Sequence, residues 1–470
     1  MKNFLAIDIS TDRLTASIGT VAPDGFELSE LRSFANTPVS LMGRKYWDVL
    51  QLFQNIIDAL KTIAEKGIAI ESIGIDSFGF DFCCFGSDGL LLSNPRSFIG
   101  FTDPSFVSSY YARVSKTALY SISASQDLPF KTVFQIDALQ RAGCTALSSA
   151  DRILFLPDAL IYMLTGVMVT ESTTAGSSAL VNISTSGLDP KALMTLGLSP
   201  QNFGAFVSPG MIVGRLSDQV QKLTGLPGVP VVTVAGYDLA SAVAAAPMED
   251  NSAFVFTGHS AAVGIESRKP VTGSQAQTLD ISNACGASGN FIVHKLTGGT
   301  RLLKKCYDEW GLTFSRADAR QMVLSASHMR SIFDPDSEAF ANPVQIIRLI
   351  KLICERTAQR PPETKAEVLK CMLMSVANRH AEVLRQVATA ARQTVNEIVI
   401  LGPNPCGGIL CQLLADATGL PVKAGPDNAA AIGNMMIQAM AAGEVLSVAE
   451  ARNIVKKTVP TTSYAPKGTF

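Results

Sequence analysis

The sequence predicts an α/β protein of two domains, on three observations. At 470 residues the chain exceeds what a single hydrophobic core carries. Several apolar runs stop at an acid or a glycine and pass into helical stretches of small residues, the pattern of buried strands alternating with helices. The layout of residues 4–19 (strand, small polar turn, strand) returns at 253–266. A boundary is expected near 243–252, which makes the domains 1–245 and 246–470.

Phe4–Ile7 is a short apolar strand ending at Asp8, with Ser10-Thr11-Asp12 as a turn and Leu14–Gly19 as the return strand. Trp47–Lys66 carries Val49, Leu50, Phe53, Ile56, Ile57 and Leu60 at helical spacing. Ser72–Asp76 is a second buried strand ending on an acid, and Phe80-Asp81-Phe82 follows Gly79. Residues 104–150 read as mainly helical, Ile153–Thr165 as a helix closed by Gly166, Thr170–Asn182 as irregular and Leu196–Pro209 as a loop. Pro230 opens the apolar strand Val231–Val234, Gly236 allows a tight turn, and Ala240–Ala246 form a helix stopped by Pro247.

In the second half, strands Ala253–Thr257 and Ala261–Glu266 flank the turn Gly258-His259-Ser260. Lys365–Arg392 is a long helix, Glu397–Leu401 a strand and Gly402–Gly408 a glycine-containing loop. Ile409–Thr418 is a helix, Val422–Ala424 a short strand and Ala429–Ala442 a small-residue helix. Residues 330–362, partly polar and Pro-bearing, are expected to form a surface insertion.

Composition narrows the function classes. Net charge is −1 with no basic patch or acidic tail, so neither nucleic acid nor a membrane surface is an expected partner. The nine cysteines form no Cys-x-x-Cys pair and the four histidines do not cluster with them. A metal cage or disulfide framework is therefore not expected, and a reducing cytoplasm is. An acid at Asp8 comes too early for a signal peptide, and no apolar run reaches membrane-spanning length.

The chemistry gathers on acids. Asp8, Asp76 and Asp238 each stand where a strand meets a turn, and Asp81 lies just beyond Gly79. A carboxylate at a strand-to-helix turn stands at the mouth of an α/β sheet, where ligands bind. Asp238 equally suits a plain helix N-cap, and Asp8 a turn acid capping its own loop. Phosphoryl transfer needs a metal held by carboxylates, donors around the phosphates and a base for the attacking hydroxyl. Magnesium takes only one or two carboxylates and keeps several waters.

The sequence resembles the FGGY carbohydrate kinases, and within them the rhamnulokinases, from Phe4 to about Gln438. The likeness is carried by several stretches in order: 73–82, from Ile73 through Asp76, Gly79 and Asp81 to Phe82; Phe130-Lys131-Thr132-Val133-Phe134-Gln135; Pro157-Asp158 through Leu164-Thr165-Gly166; Glu171-Ser172-Thr173-Thr174; Gly236-Tyr237-Asp238-Leu239-Ala240-Ser241-Ala242; Ala424-Gly425-Pro426; and Gly433-Asn434. The resemblance implies an actin-like ATPase (ribonuclease H-like) fold of two duplicated domains with an interdomain cleft. Sugar would lie mainly on the first domain and nucleotide mainly on the second. It implies ATP and Mg2+, with Asp238 as the general base and Asp8 near the metal. Gly79, Asp81 and Tyr237 fall where family members approach the sugar, and Asp103 follows in a segment lining the same pocket. A six-carbon ketose such as L-rhamnulose is the implied substrate, with L-fuculose or a pentulose next. The implied partners are thus sugar and nucleotide, on a monomer or homodimer.

The departures from the family pattern gather on the nucleotide side. The first phosphate loop reads Asp8-Ile9-Ser10-Thr11-Asp12-Arg13, without the family's glycines and with an added acid; Arg13 is its candidate phosphate contact. The second reads Thr257-Gly258-His259-Ser260, in which His259 either bonds a phosphate or is a satisfied turn histidine. The adenosine loop keeps Gly402 but carries Pro403 and Pro405, which remove backbone donors. Lys295, ahead of Gly298-Gly299, either helps hold phosphate or lies solvated at the surface. Two readings follow: an active sugar kinase with a remodelled nucleotide site, or a kinase homologue acting as a sugar-binding or regulatory protein.

Overall fold

The computed structural model describes the chain except residues 1, 259, 300, 314, 327, 342, 405–407 and 469–470. The chain folds as two compact units. One comprises Met1–Ala245, Ser267–Ile292 and Ala429–Thr458; the other comprises Ala246–Glu266, Val293–Asn428 and Val459–Phe470. The sequence reading puts a single break at 245/246, whereas two later segments fold with the first unit. Ala429–Ala441 shows the reason. Every residue from Ala429 to Ala439 is buried, so this helix has no solvent face and needs cover on all sides. It packs on the strands Asn3–Ile9 and Ser72–Ser77 and on the helix Asp238–Ala244. Gly433 lets the two helices touch, because a Cβ there would run into the Ser241 carbonyl.

The first unit's main sheet has the order Ile212–Arg215, Pro230–Val232, Ser72–Ser77, Asn3–Ile9, Arg13–Ala22, Gly25–Ala35. Pro230–Val232, Ser72–Ser77 and Asn3–Ile9 run parallel at its centre. The other three are antiparallel to their neighbours. Asp8 and Asp76 lie inside their strands rather than at the ends, paired in register with each other. Gly25–Ala35 escapes the sequence reading because residues on both of its faces are exposed and the apolar alternation is lost.

Two further expectations change. Residues 153–165 are not one helix: Arg152–Phe155 is a strand antiparallel to Phe82–Phe85, and the helix Leu156–Thr165 follows. Pro157 sits in its first turn, where a missing N–H costs nothing. Residues 170–182 are not irregular throughout. Val169–Glu171 is a strand and Ser172–Gly176 a helix, all of it buried.

In the second unit the strands run in the order Phe291–Gly298, Ser260–Ser267, Ser252–Phe256, Glu397–Leu401, Val422–Ala424, Thr462–Tyr464. Ser252–Phe256, Glu397–Leu401 and Val422–Ala424 are parallel, and Ser260–Ser267 and Thr462–Tyr464 antiparallel to their partners. The long helix Lys365–Ala391 starts at a capping box of Thr364 and Glu367. The described residues of 330–362 are not all at the surface, as a surface insertion would have them. Phe333 and Phe340 are buried and stack at 4.6 Å, and Ile346–Arg356 buries Ile346, Ile350 and Cys354.

Candidate functional site

Three carboxyls gather on the first unit's central strands: Asp8 and Asp76 one residue short of their strand ends, and Asp238 at the start of the helix beyond the turn. Asp76 is fully buried. Its Oδ2 accepts from Asn434 Nδ2 at 2.6 Å. Its Oδ1 finds no hydrogen-bond partner among the described residues, and its carboxyl neighbours that of Asp8. Burial pushes Asp8 up to about 6, against the pull of the Asp76 hydrogen bond. Burial, and then the charge of Asp8, hold Asp76 well above the usual carboxylate range. Asp238 is pushed up to about 8 by burial first and Asp8 second. Asn434 is fixed in turn: Gln438 Nε2 donates to its Oδ1 at 2.7 Å and to Leu5 O at 3.0 Å, and Ser72 Oγ donates to Gln438 Oε1 at 2.7 Å. Among the described residues no group of three or more His, Cys, Asp or Glu is arranged to hold a metal ion.

Asp238 is not the helix cap. The cap position of Asp238–Ala244 is Tyr237, and Asp238 is the first helical residue. Its Oδ1 accepts from Leu239 N at 2.7 Å, and its other oxygen takes no hydrogen bond among the described residues. Asp238 also keeps part of its surface open. The turn ahead of it is clamped. Gly236 N donates to Glu171 Oε2 at 3.0 Å, Tyr237 N donates to Thr173 Oγ1 at 3.2 Å, and Ser77 N donates to Gly236 O at 2.9 Å. Glu171 is buried and also accepts from Thr173 N, Thr173 Oγ1, Thr174 N and Thr174 Oγ1. The run Glu171–Thr174 is thus a brace that positions Asp238, a role its composition does not announce.

Beside this turn stands an aromatic wall. Gly79 is forced to be glycine, since a Cβ would come within 2.5 Å of Ser177 Oγ and 3.2 Å of Tyr237 Cδ2. Phe80 has φ +87°, a strained conformation for a bulky side chain. Thr132 Oγ1 holds it by donating to Phe80 O at 2.7 Å, and Gln135 Nε2 donates to the same oxygen at 3.3 Å. The Phe80 ring meets those of Phe98, Phe130 and Tyr237 edge-on at 5.0–6.0 Å between centroids. Asp81 is expected to touch a sugar, but its carboxylate is spent inside the protein. It accepts from Trp47 Nε1 at 2.6 Å, Phe98 N at 3.0 Å and Gln135 Nε2 at 2.9 Å. Burial pushes it up to about 7 against those donors. Asp103 stands apart: it is exposed and its Oδ1 accepts from Ser105 N. Arg13 is exposed, in the turn with Ser10 and paired with Asp12 at 3.5 Å.

In the second unit the loops at the strand ends are built from backbone. Gly402 has φ +80°, and a Cβ there would come within 2.7 Å of Thr257 O. Thr257 is buried, and its hydroxyl points to Leu401 O at 2.9 Å and Pro403 O at 2.7 Å, so it ties the two loops together. Gly258 lies against Gly299, where a Cβ would meet Gly258 O at 3.0 Å. Asp336 fixes the strand that delivers Gly299: it accepts from Thr297 Oγ1 at 2.7 Å, from Gly298 N and from Arg379 Nε at 2.7 Å. Lys295 is half-buried rather than solvated. His259 and residues 405–407 of the adenosine loop lie outside the described residues.

Comparison with known proteins places this architecture. Residues 5–244 match the profile of the FGGY family of carbohydrate kinases, N-terminal domain, and residues 253–442 that of its C-terminal domain. The chain is 38% identical to a rhamnulokinase of Bacteroides thetaiotaomicron, over 99% of this chain and 96% of the relative. It is 28% identical to a rhamnulokinase of Bacillus subtilis, over 99% and 95%. Its fold matches a ligand-bound xylulose kinase from Lactobacillus acidophilus (TM-score 0.80, 15% identity, 99% and 94% coverage) and Plasmodium falciparum glycerol kinase with ADP (0.78, 14%, 99% and 94%). The expected actin-like ATPase fold is present.

Proposed function

Because the chain belongs to the FGGY family of carbohydrate kinases, and therefore phosphorylates a sugar with ATP, we propose that its sugar is L-rhamnulose and its general base Asp238. The choice of sugar rests on the relatives named rhamnulokinase. One observation carries the base: an oxygen of Asp238 that takes no donor among the described residues, partly open, on a turn braced by Glu171. Asp238 takes the proton of the sugar's primary hydroxyl as that oxygen attacks the γ-phosphorus of ATP. The new O–P bond forms, the bond from γ-phosphorus to the β–γ bridging oxygen breaks, and ADP leaves. Gly79, Phe80 and Tyr237 form the wall on which the sugar lies, and Asp81 supports that wall through Trp47, Phe98 and Gln135.

Magnesium fits Asp8 and Asp76. Their oxygens are hard donors, Asp76 Oδ1 lacks a donor group, and burial keeps both carboxyls above their usual range, a cost that a cation relieves. When bound it neutralises charge on the phosphates. Gly258 and Gly402 would bring main chain close to the nucleotide, while Thr257 holds their loops together. This reading needs the cytoplasm, where ATP is available, and works in a monomer or a homodimer.

The test couples ADP formation to NADH oxidation with L-rhamnulose, L-fuculose, D-xylulose and D-ribulose. We expect the highest kcat/KM on L-rhamnulose. A pentulose preferred tenfold would replace the named sugar, and no ADP release with any ketose would sink the kinase assignment for this chain.

A further inference from the structure

The side chain of Lys131 is a feature the proposed reaction leaves unused. Lys131 is 2% exposed. Fully buried lysines are rare unless paired, because the interior penalises an ammonium without acceptors. Yet its Nζ makes no hydrogen bond and no ion pair among the described residues; its close neighbour is the face of the Phe80 ring, 5.2 Å from the centroid. A cation–π contact supplies part of what hydration did, but none of the three N–H donors is matched by an oxygen. The acids whose charges act on it are Asp280 and Asp127, and Asp127 is already paired with Lys116 Nζ at 2.6 Å.

The position is built. Lys131 caps the helix Thr132–Arg141 with its main chain, and the next residues, Thr132 and Gln135, hold Phe80 in its strained φ. Phe80 in turn touches Tyr237, the neighbour of Asp238. The ammonium is therefore tied by one aromatic ring to the turn that carries the proposed base, and strain is spent in keeping that ring there.

We propose that Lys131 is a substrate-contacting specificity residue, whose ammonium takes the acceptor oxygens at the carbonyl end of the sugar chain. The proposal rests on reading residues 79–81 and Tyr237 as the sugar side of the reaction. The shared chemistry is an oxygen-rich chain end: the carbonyl and adjacent hydroxyl of a ketose, or the carboxylate of an aldonate. Hydrogen bonds from a charged donor discriminate strongly, since a substrate lacking the acceptor leaves the ammonium unpaired. Burial lowers the Lys131 pKa to about 8, opposed by the charges of Asp280 and Asp127, so the ammonium is largely retained at neutral pH.

The experiment uses the full chain with Lys131→Met, which keeps bulk, and Lys131→Gln, which keeps N–H donors without charge. Kd for L-rhamnulose and D-gluconate is measured by calorimetry without nucleotide, alongside KM, kcat and the thermal midpoint. Lys131→Met is expected to raise Kd and KM by about 10- to 100-fold with kcat within about threefold. Its thermal midpoint should hold or rise, because a lone buried charge has been removed. Partial recovery by Lys131→Gln toward L-rhamnulose identifies the ketose end; tight gluconate binding lost in both variants identifies the carboxylate. Unchanged Kd and KM in Lys131→Met overturn the proposal, as does a wild type that binds neither ligand. If the wild type binds sugar through Lys131 but turns over none, the kinase reading falls and this one stands.

Discussion

The two units repeat one sheet plan and arm it differently. In each, a three-strand run of a first strand, its antiparallel partner and a third is extended on the other side by two parallel strands and an antiparallel edge. In the first unit the parallel strands carry Asp8 and Asp76 one residue before their ends and, one turn on, Asp238. In the second the equivalent ends carry Thr257-Gly258, Gly402 and Gly425, with no carboxylate among them. The same scaffold thus offers charge on one copy and bare main chain on the other. Carboxylates suit protons and cations; glycine-lined main chain suits phosphate and a flat base, which need close approach. Under the proposed function, the carboxylates of the first unit would serve sugar and cation and the bare main chain of the second would serve the nucleotide.

The sharpest way to break this contrast is Asp238→Asn. It should lower kcat by ~10²–10⁴ while leaving sugar Kd within a few-fold, read by steady-state kinetics and calorimetry. An unchanged kcat removes Asp238 from the mechanism and the first unit loses its proton acceptor. Next comes pH. Burial and Asp8 raise the Asp238 pKa from its ordinary value to about 8. The base form therefore exists above that value and is lost as pH falls through it. The kcat/KM for the sugar should drop about tenfold per unit below pH 8 and level off above. A profile flat from pH 6 to 9 contradicts the raised pKa.

The smallest expected effect probes the second unit. Gly402→Ala puts a Cβ within 2.7 Å of Thr257 O on a residue at φ +80°. It should cost about 1–3 kcal/mol of stability and raise KM for ATP, with KM for the sugar unchanged. Calorimetric melting and kinetics read both. A sugar KM that moves with it would show that the division of labour is false. Position 402 tolerates no side chain without strain, so even the alanine variant is expected to lower the melting temperature.

Much of this was legible in the chain. Asp238 stands out because it is the lone charge after an apolar run, and Asp8 because it interrupts one. Their strands follow from apolar continuity alone. The roles of Glu171, Asn434, Gln438 and Asp336 are not legible, although Glu171 and Asn434 stand in stretches that carry the family likeness. Each works on groups far away in the chain: Glu171 on Gly236, Asn434 on Asp76, Asp336 on Arg379. No periodicity records such pairings. Glu171 sits in a run of Ser, Thr and Ala that reads as loop, although the whole run is buried and its hydroxyls are absorbed by hydrogen bonds. Lys131 stands in a stretch that carries the family likeness, but only the fold shows that its side chain is buried.

The helix Ala429–Ala441 sets an order of events on the ribosome. Its Asn434 donates to Asp76 and its Gln438 accepts from Ser72, yet Ala245 is made long before them. At ~5–20 residues per second, the roughly 200 intervening residues take on the order of 10–40 s. For that interval Asp76 lacks the donor that Asn434 supplies in the finished protein, and Asn3–Ile9 and Ser72–Ser77 lack the helix that packs on them. A fragment ending at residue 245 is the same object made permanent, so a sugar-binding half cut there from this protein should need the final helix supplied in trans.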